Sequence, residues 1–260
     1  MEKGEKMEWL HFSALIILMA FLCEYVDSSL GMGYGTALTP ILLLMGYNPL
    51  QIVPCILLSE LVTGLSAAFF HHRLKNANFK IGTIDLKIAL VMAGCSVFGG
   101  LAAVFVALNL PKFYIKLYIG LLVFAMGVLI LATLKRKFKF SWKKISSLGL
   151  LAAFNKGISG GGYGPIVTSG QIISGVESKN AIGITSLAEG ITCFVGVTTY
   201  YVFTNHTVDW SLSPSLILGA LLSVPFAAYT VKRFKGGFLR IIVGIATLVL
   251  GLFTLGNLIL

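Results

Sequence analysis

Gly31-Met32-Gly33-Tyr34-Gly35 and Gly160-Gly161-Gly162-Tyr163-Gly164 are one motif written twice, and their spacing decides how this chain is read. The copies stand 129 residues apart, from 31 to 160. The same offset takes Thr39 to Thr168, Gly46 to Gly175, Glu60 to Glu189 and Thr63 to Thr192. Farther on it slips to 124, as an indel produces, pairing Lys116 with Arg240, Gly120 with Gly244 and Gly127 with Gly251. The chain therefore reads as a duplication: a first repeat at 9–133, a basic linker at 134–144 and a second repeat at 145–260.

Around the motifs the chain is apolar. Hydrophobic residues make up 57% of its 260 residues and charged residues 12%, with a mean hydropathy of +0.90. A soluble domain carries about 25% charge, so the solvent implied for these side chains is lipid. The formal charge of +10 does not indicate nucleic acid, because no basic stripe interleaves with aromatics. The basic residues sit in short runs between apolar segments, where they orient helices and meet anionic head groups. Cys23, Cys55, Cys95 and Cys193 all lie in apolar stretches without a C-x-x-C pair, so they read as small core residues and not as a disulfide or zinc framework. No metal or cofactor is expected. The mixed-charge head, Met1 to Glu8, does not read as a cleavable signal.

A spanning helix needs about 20 apolar residues. Runs of that length are 9–26, 50–71, 86–108, 113–133, 180–203, 214–231 and 238–259. Three further runs, 36–46, 145–157 and 165–174, are too short to span and flank the glycine motifs. An eleven-residue helix is about 16 Å long, roughly half the hydrocarbon core. The fold class is thus an all-α polytopic membrane protein, each repeat having about five segments that include half-helices broken at a glycine-rich loop.

Basic loops set the orientation. The 134–144 linker holds Lys135, Arg136, Lys137, Lys139, Lys143 and Lys144 and is predicted cytoplasmic, as is the 232–237 loop with Lys232, Arg233 and Lys235. The 204–213 loop has no Lys or Arg and is predicted outside. Its equivalent, 72–85, holds Arg73, Lys75 and Lys80 and is predicted inside. Equivalent loops on opposite faces define inverted-topology repeats in an inner membrane, with both termini outside.

Inverted repeats with broken helices are transporter architecture, with the ligand near the midplane where the breaks meet. A half-helix starting inside the membrane leaves its first N–H groups unpaired and its positive dipole end facing inward, which favours an anion. Glycines let the backbone turn and approach the ligand, and Pro165 suits a first-turn position. The rival reading makes these glycines close-packing residues at helix crossings.

The doubled G-x-G-Y-G motif, the paired half-helices and the basic central linker resemble the sulfite-exporter TauE/SafE family. The resemblance covers nearly the whole chain. It implies transport of sulfite or another sulfur-containing or organic anion, without naming which. Carried over by position, the family's glycine signatures fall on Gly31, Gly33, Gly35, Gly160, Gly161, Gly162 and Gly164, with Tyr34 and Tyr163 inside them. Met32 stands where the second copy has Gly161.

Lys156 sits one turn before the second glycine run, and Asp27 is its repeat mate. Intramembrane charges are paired or functional, so the two form an ion pair or Lys156 meets the substrate. Glu60 and Glu189 either carry a coupling proton or brace the unwound loops by accepting their N–H groups. Ser28, Ser29, Ser159, Thr39 and Thr168 supply hydroxyls, which also bond their own helices. His71 and His72 end a helix and read as interfacial. Two other functions fit less well. Gly157-Ile158-Ser159-Gly160 reads as G-x-S-G, but the only downstream histidine, His206, sits in a predicted external loop, so an intramembrane serine protease is disfavoured. A passive anion channel remains the alternative to a carrier. The expected partners are a small anion, the bilayer and a proton as candidate coupling ion; oligomeric state is not readable.

Overall fold

The computed structural model describes residues 3–133, 141–203, 208–233 and 237–259. All elements among them are helices: α1 (Lys3–Leu30), α2 (Tyr34–Leu44), α3 (Pro49–Arg73), α4 (Ile84–Asn109), α5 (Lys112–Ala132), α6 (Trp142–Ser159), α7 (Tyr163–Ile173), α8 (Ser178–Phe203), α9 (Ser213–Arg233) and α10 (Gly237–Ile259). The 129-residue offset reappears in the boundaries. α1 and α6 end at Leu30 and Ser159, α2 and α7 run over equivalent residues, and α3 and α8 begin at Pro49 and Ser178.

Both breaks have the same cause. Gly31 (φ 67°) and Gly160 (φ 70°) adopt a left-handed conformation that stops the incoming helix, and Gly33 (φ 139°) and Gly162 (φ 76°) sit just before the outgoing one. One expected length is wrong. The apolar run 145–157 was expected to be a half-helix, but α6 has 18 residues, about 27 Å. It extends the run by Trp142–Lys144 at the start and Ile158–Ser159 at the end, since a helix needs apolar neighbours only where it meets lipid.

The helices pair α1 with α9, α4 with α6, α3 with α8, and α5 with α10. Exchanging α1–α5 for α6–α10 maps this set of pairs onto itself. In α3 and α8, Gly183 faces His71, Gly190 faces Gly64 and Gly196 faces Leu57, so the two run antiparallel. In α5 and α10, Gly127 packs against Leu248 and Gly251 against Phe124, again antiparallel. Small residues permit these close crossings, as membrane helices require.

The polarity of the bundle is turned outward-in. Phe98, Phe105 and Phe226 are 74%, 70% and 62% exposed, while Glu24, Asp27, Glu60, Lys156 and Glu189 are buried. In water this would be unstable; in lipid it places each group in its matching solvent. Among the described residues four helices are long and apolar enough to cross a membrane, over Pro49–Arg73, Ile84–Ala103, Ser178–Phe203 and Ser213–Arg233.

Candidate substrate site

The two breaks lie against each other, backbone to backbone. Gly35 abuts the Gly160 carbonyl, and its repeat mate Gly164 abuts the Gly31 carbonyl. A Cβ at Gly161 would lie 2.7 Å from both the Gly35 carbonyl carbon and the Thr36 nitrogen, closer than side-chain carbons approach. Close packing is therefore a visible role of Gly35, Gly161 and Gly164, while positive φ is the requirement at Gly31, Gly33, Gly160 and Gly162. The close-packing reading of the motif holds at the first three glycines, and the other four supply the turns.

Peptide groups freed by each break are satisfied from the other half. Thr39 Oγ1 donates to the Ser159 carbonyl at 3.1 Å, and Thr168 Oγ1 donates to the Gly31 carbonyl at 2.6 Å. The Gly162 N–H donates to Thr36 Oγ1 at 3.0 Å. Buried peptide groups need such partners. Tyr34 and Tyr163 are buried, with hydroxyls 2.8 Å from Ser59 Oγ and 3.3 Å from Thr192 Oγ1, so each ties its half-helix to the next helix of its own half.

The charges converge on the same crossing. Lys156 Nζ donates to Glu189 Oε1 at 2.8 Å and is also ion-paired with Glu60, both repeat mates serving one ammonium. Glu60 Oε1 further accepts the Gly35 N–H at 3.3 Å. Asp27 Oδ1 accepts the Tyr34 N–H at 3.2 Å. Two carboxylates thus stand at the positive end of α2. The ion pair expected between Asp27 and Lys156 is not formed among the described residues. α6 packs against α3 and α8, which bring Glu60 and Glu189 to the lysine, while Asp27 turns to the first break.

Sequence reasoning missed Glu24. It is 2% exposed, accepts from Ser28 Oγ at 2.6 Å, and accepts from Thr63 Oγ1 at 3.2 Å. The available signal was an acid inside the apolar run 9–26. Thr36 and Cys193, whose Sγ lies 3.8 Å from Glu60 Oε2, were also unflagged. A cavity of about 10 Å³ lies between Glu24, Asp27, Glu60, Thr63, Ser186 and Glu189, room for about one water. The cluster is sealed: Lys156 is 1% exposed and Glu189 4%.

The hydroxyls divide as their residue types suggest. Ser29 Oγ donates to the Val26 carbonyl of its own helix, and Ser159 Oγ donates to the Asn155 carbonyl. His206, the base that a Ser159 nucleophile would need, lies outside the described residues, as do 134–140 of the linker. His71 sits near the end of α3 but does not face solvent. It is wholly buried, and its Nδ1 accepts from Asn76 Nδ2 at 3.1 Å, so Nε2 carries the proton and donates to the Ser28 carbonyl at 3.0 Å. The other Asn76 hydrogen goes to the Ala228 carbonyl at 2.9 Å. This knot ties α1, α3 and α9 together three residues before the first break.

A lipid-facing exterior, a sealed ionic core and two half-helices set tip to tip describe a polytopic membrane transporter. The chain belongs to the sulfite exporter TauE/SafE family, which it matches over residues 16–254. It is also 27% identical over 245 residues to the probable membrane transporter protein YtnM of Bacillus subtilis (strain 168), covering 88% of this chain and 79% of that one. The family consists of membrane transporters, not enzymes, and the expectation drawn from the glycine motifs stands.

Proposed function

We propose that this transporter carries a small oxyanion, sulfite or an organosulfonate, between two inverted-topology repeats, and that the anion binds where the glycine breaks cross. The carrying observation is Lys156, the one lysine or arginine fully buried among the described residues, set between Glu60 and Glu189 at that crossing. The antiparallel course of α3 against α8 and of α5 against α10 supports inverted repeats, with 9–133 and 145–260 as the halves and the linker on the cytoplasmic side of the inner membrane. The family supports the class of cargo.

The resident carboxylates define the chemistry an anion must meet. Glu60 and Glu189 already neutralise Lys156, and Glu60 and Asp27 already cap α2. An entering anion must replace a carboxylate at the ammonium or at the N–H groups, because like charges at contact repel strongly in a dry site. A proton delivered to Glu60 or Glu189 removes one of the two carboxylate charges at Lys156 and opens that position to the anion; a weakly acidic substrate brings that proton itself. Between substrates, Glu60 braces the break. A space of about 10 Å³ is too small for a tetrahedral or pyramidal oxyanion, so the site must open to admit one, as alternating access requires.

Proteoliposomes loaded with radiolabelled sulfite, sulfonates, sulfate or carboxylates, with and without a pH gradient, test this. Wild type is expected to exchange sulfite or a sulfonate and to accelerate when the gradient supplies protons with the substrate. Glu189→Gln is expected to keep exchange and lose the acceleration. A Glu60→Gln, Glu189→Gln protein with wild-type pH dependence rules out both carboxylates as the proton site. Transport of none of these anions overturns the assigned cargo.

A further inference from the structure

One residue beyond buried His71 the end of α3 opens onto a cationic recess of about 450 Å³. It lies between the α3 terminus, the 74–83 turn and the start of α8, lined by His72, Arg73, Lys75, Lys80, Asn78 and Asn180. Arg73, Lys75 and Lys80 are exposed and form no ion pair among the described residues. The neighbouring acid, Asp85, is buried, and its Oδ2 accepts the Asn78 N–H at 2.8 Å and Asn180 Nδ2 at 2.7 Å. That carboxylate therefore holds the rim of the recess together and leaves the three cations without a counter-charge.

The turn is built and held. Lys75 has φ 61°, an uncommon conformation for a residue with a Cβ, and the next residue is Asn76, clamped to His71 and Ala228. At the tip of the same turn Ile81 is 99% exposed, and Ile84 beyond it is 52% exposed. Exposed isoleucines beside unpaired cations match neither bulk water nor hydrocarbon alone. They match the boundary between head groups and acyl chains.

The opposite end of the α3–α8 pair provides an internal comparison. There the end of α8 meets the start of α3 in a recess lined by Pro54, Leu58, Tyr201, Val208 and Trp210, with no charged residue among the described lining. The same pair of helices thus ends in cations on one side and in aromatics on the other. The cations are not a by-product of the shared frame.

We propose that the recess binds the head-group phosphate of an anionic phospholipid, with Arg73, Lys75 and Lys80 around the phosphate and Ile81 in the acyl boundary. Each cation near an anionic surface strengthens binding by about five-fold. The test uses full-length protein in mixed micelles containing phosphatidylcholine or phosphatidylglycerol, read by thermal midpoint and by lipid retained in native mass spectrometry. Wild type is expected to retain phosphatidylglycerol and gain a saturable midpoint increase, with phosphatidylcholine giving neither. Lys75→Gln and Lys80→Gln are each expected to weaken this by about five-fold, and Ile81→Ser to weaken retention while leaving the fold intact. Two results overturn the proposal. One is equal phosphatidylglycerol retention by wild type and by the Arg73→Gln, Lys75→Gln, Lys80→Gln triple variant. The other is displacement of the lipid effect by millimolar inorganic phosphate or sulfite, which makes the recess a site for free anions.

Discussion

Lys156 is the residue on which this interior depends. Its ammonium is shared by Glu60 and Glu189, and Glu60 also holds the Gly35 N–H, so one charge organises helices from both halves and the first break. Removing a single partner from a buried ion cluster costs about 3–5 kcal/mol, because the charges left behind have neither water nor counter-ion. Lys156→Met is expected to lose about that much stability in detergent, read as a lower thermal midpoint and early aggregation. Adding Glu60→Gln and Glu189→Gln is expected to recover part of the loss. A single Lys156→Met variant as stable as wild type would mean the carboxylates do not need the lysine. The pairing was only half legible in the sequence. A repeat offset identifies equivalent positions but not which of them touch: Asp27 turns to the Tyr34 N–H, while Glu60 and Glu189 both reach Lys156. Glu24 was invisible to this comparison because its repeat equivalent is Ala153.

At the scale of elements the breaks were the most legible feature, since four glycines at positive φ cannot be replaced by a continuous helix. The sequence has the breaks meet; what it could not convey is that they touch backbone to backbone. That contact is between backbones and leaves no trace in residue chemistry beyond the glycines themselves. The length of α6 was misjudged for a related reason: the apolar run omits Trp142–Lys144 and Ile158–Ser159, and polar residues continue a helix where they find partners, as Asn155 does with Tyr118 and Lys156 with its two glutamates. The packing gives a graded expectation. Gly35→Ala and Gly164→Ala each drive a methyl into a carbonyl of the other half, and backbone cannot yield as a side-chain tip does. Each is expected to cost about 1–3 kcal/mol or more and to abolish transport. Gly94→Ala meets nothing within 4 Å in the middle of α4 and is expected to be neutral or to stabilise by about 0.5–1 kcal/mol. Thermal midpoints of the three variants check this, and equal effects would mean that the crossing has room to spare.

At the scale of the whole molecule, what needs testing is the direction of each half in the membrane. The self-mapping set of helix pairs and the antiparallel mates α3–α8 and α5–α10 are what the proposed inverted repeats, with halves pointing opposite ways, would produce. Charge then fixes which way. The recess after α3 carries Arg73, Lys75 and Lys80, whereas its counterpart after α8 carries Tyr201 and Trp210 and no charge among the described lining residues. Lysine and arginine favour the cytoplasmic side, and aromatics settle at either interface, so only the first recess votes. It votes for a cytoplasmic 74–83 turn, which leaves the α8–α9 loop outside. Asn78 and Ser211 are exposed, one in each segment, and report independently. In a background with Cys23, Cys55, Cys95 and Cys193 replaced, Asn78→Cys and Ser211→Cys are each treated with a membrane-impermeant maleimide in intact cells. Ser211→Cys is expected to label at once, and Asn78→Cys only after the cells are opened. The reverse pattern keeps the inverted repeats and reverses their orientation. Equal labelling at both sites in intact cells puts both loops outside, and no inverted repeat survives that result.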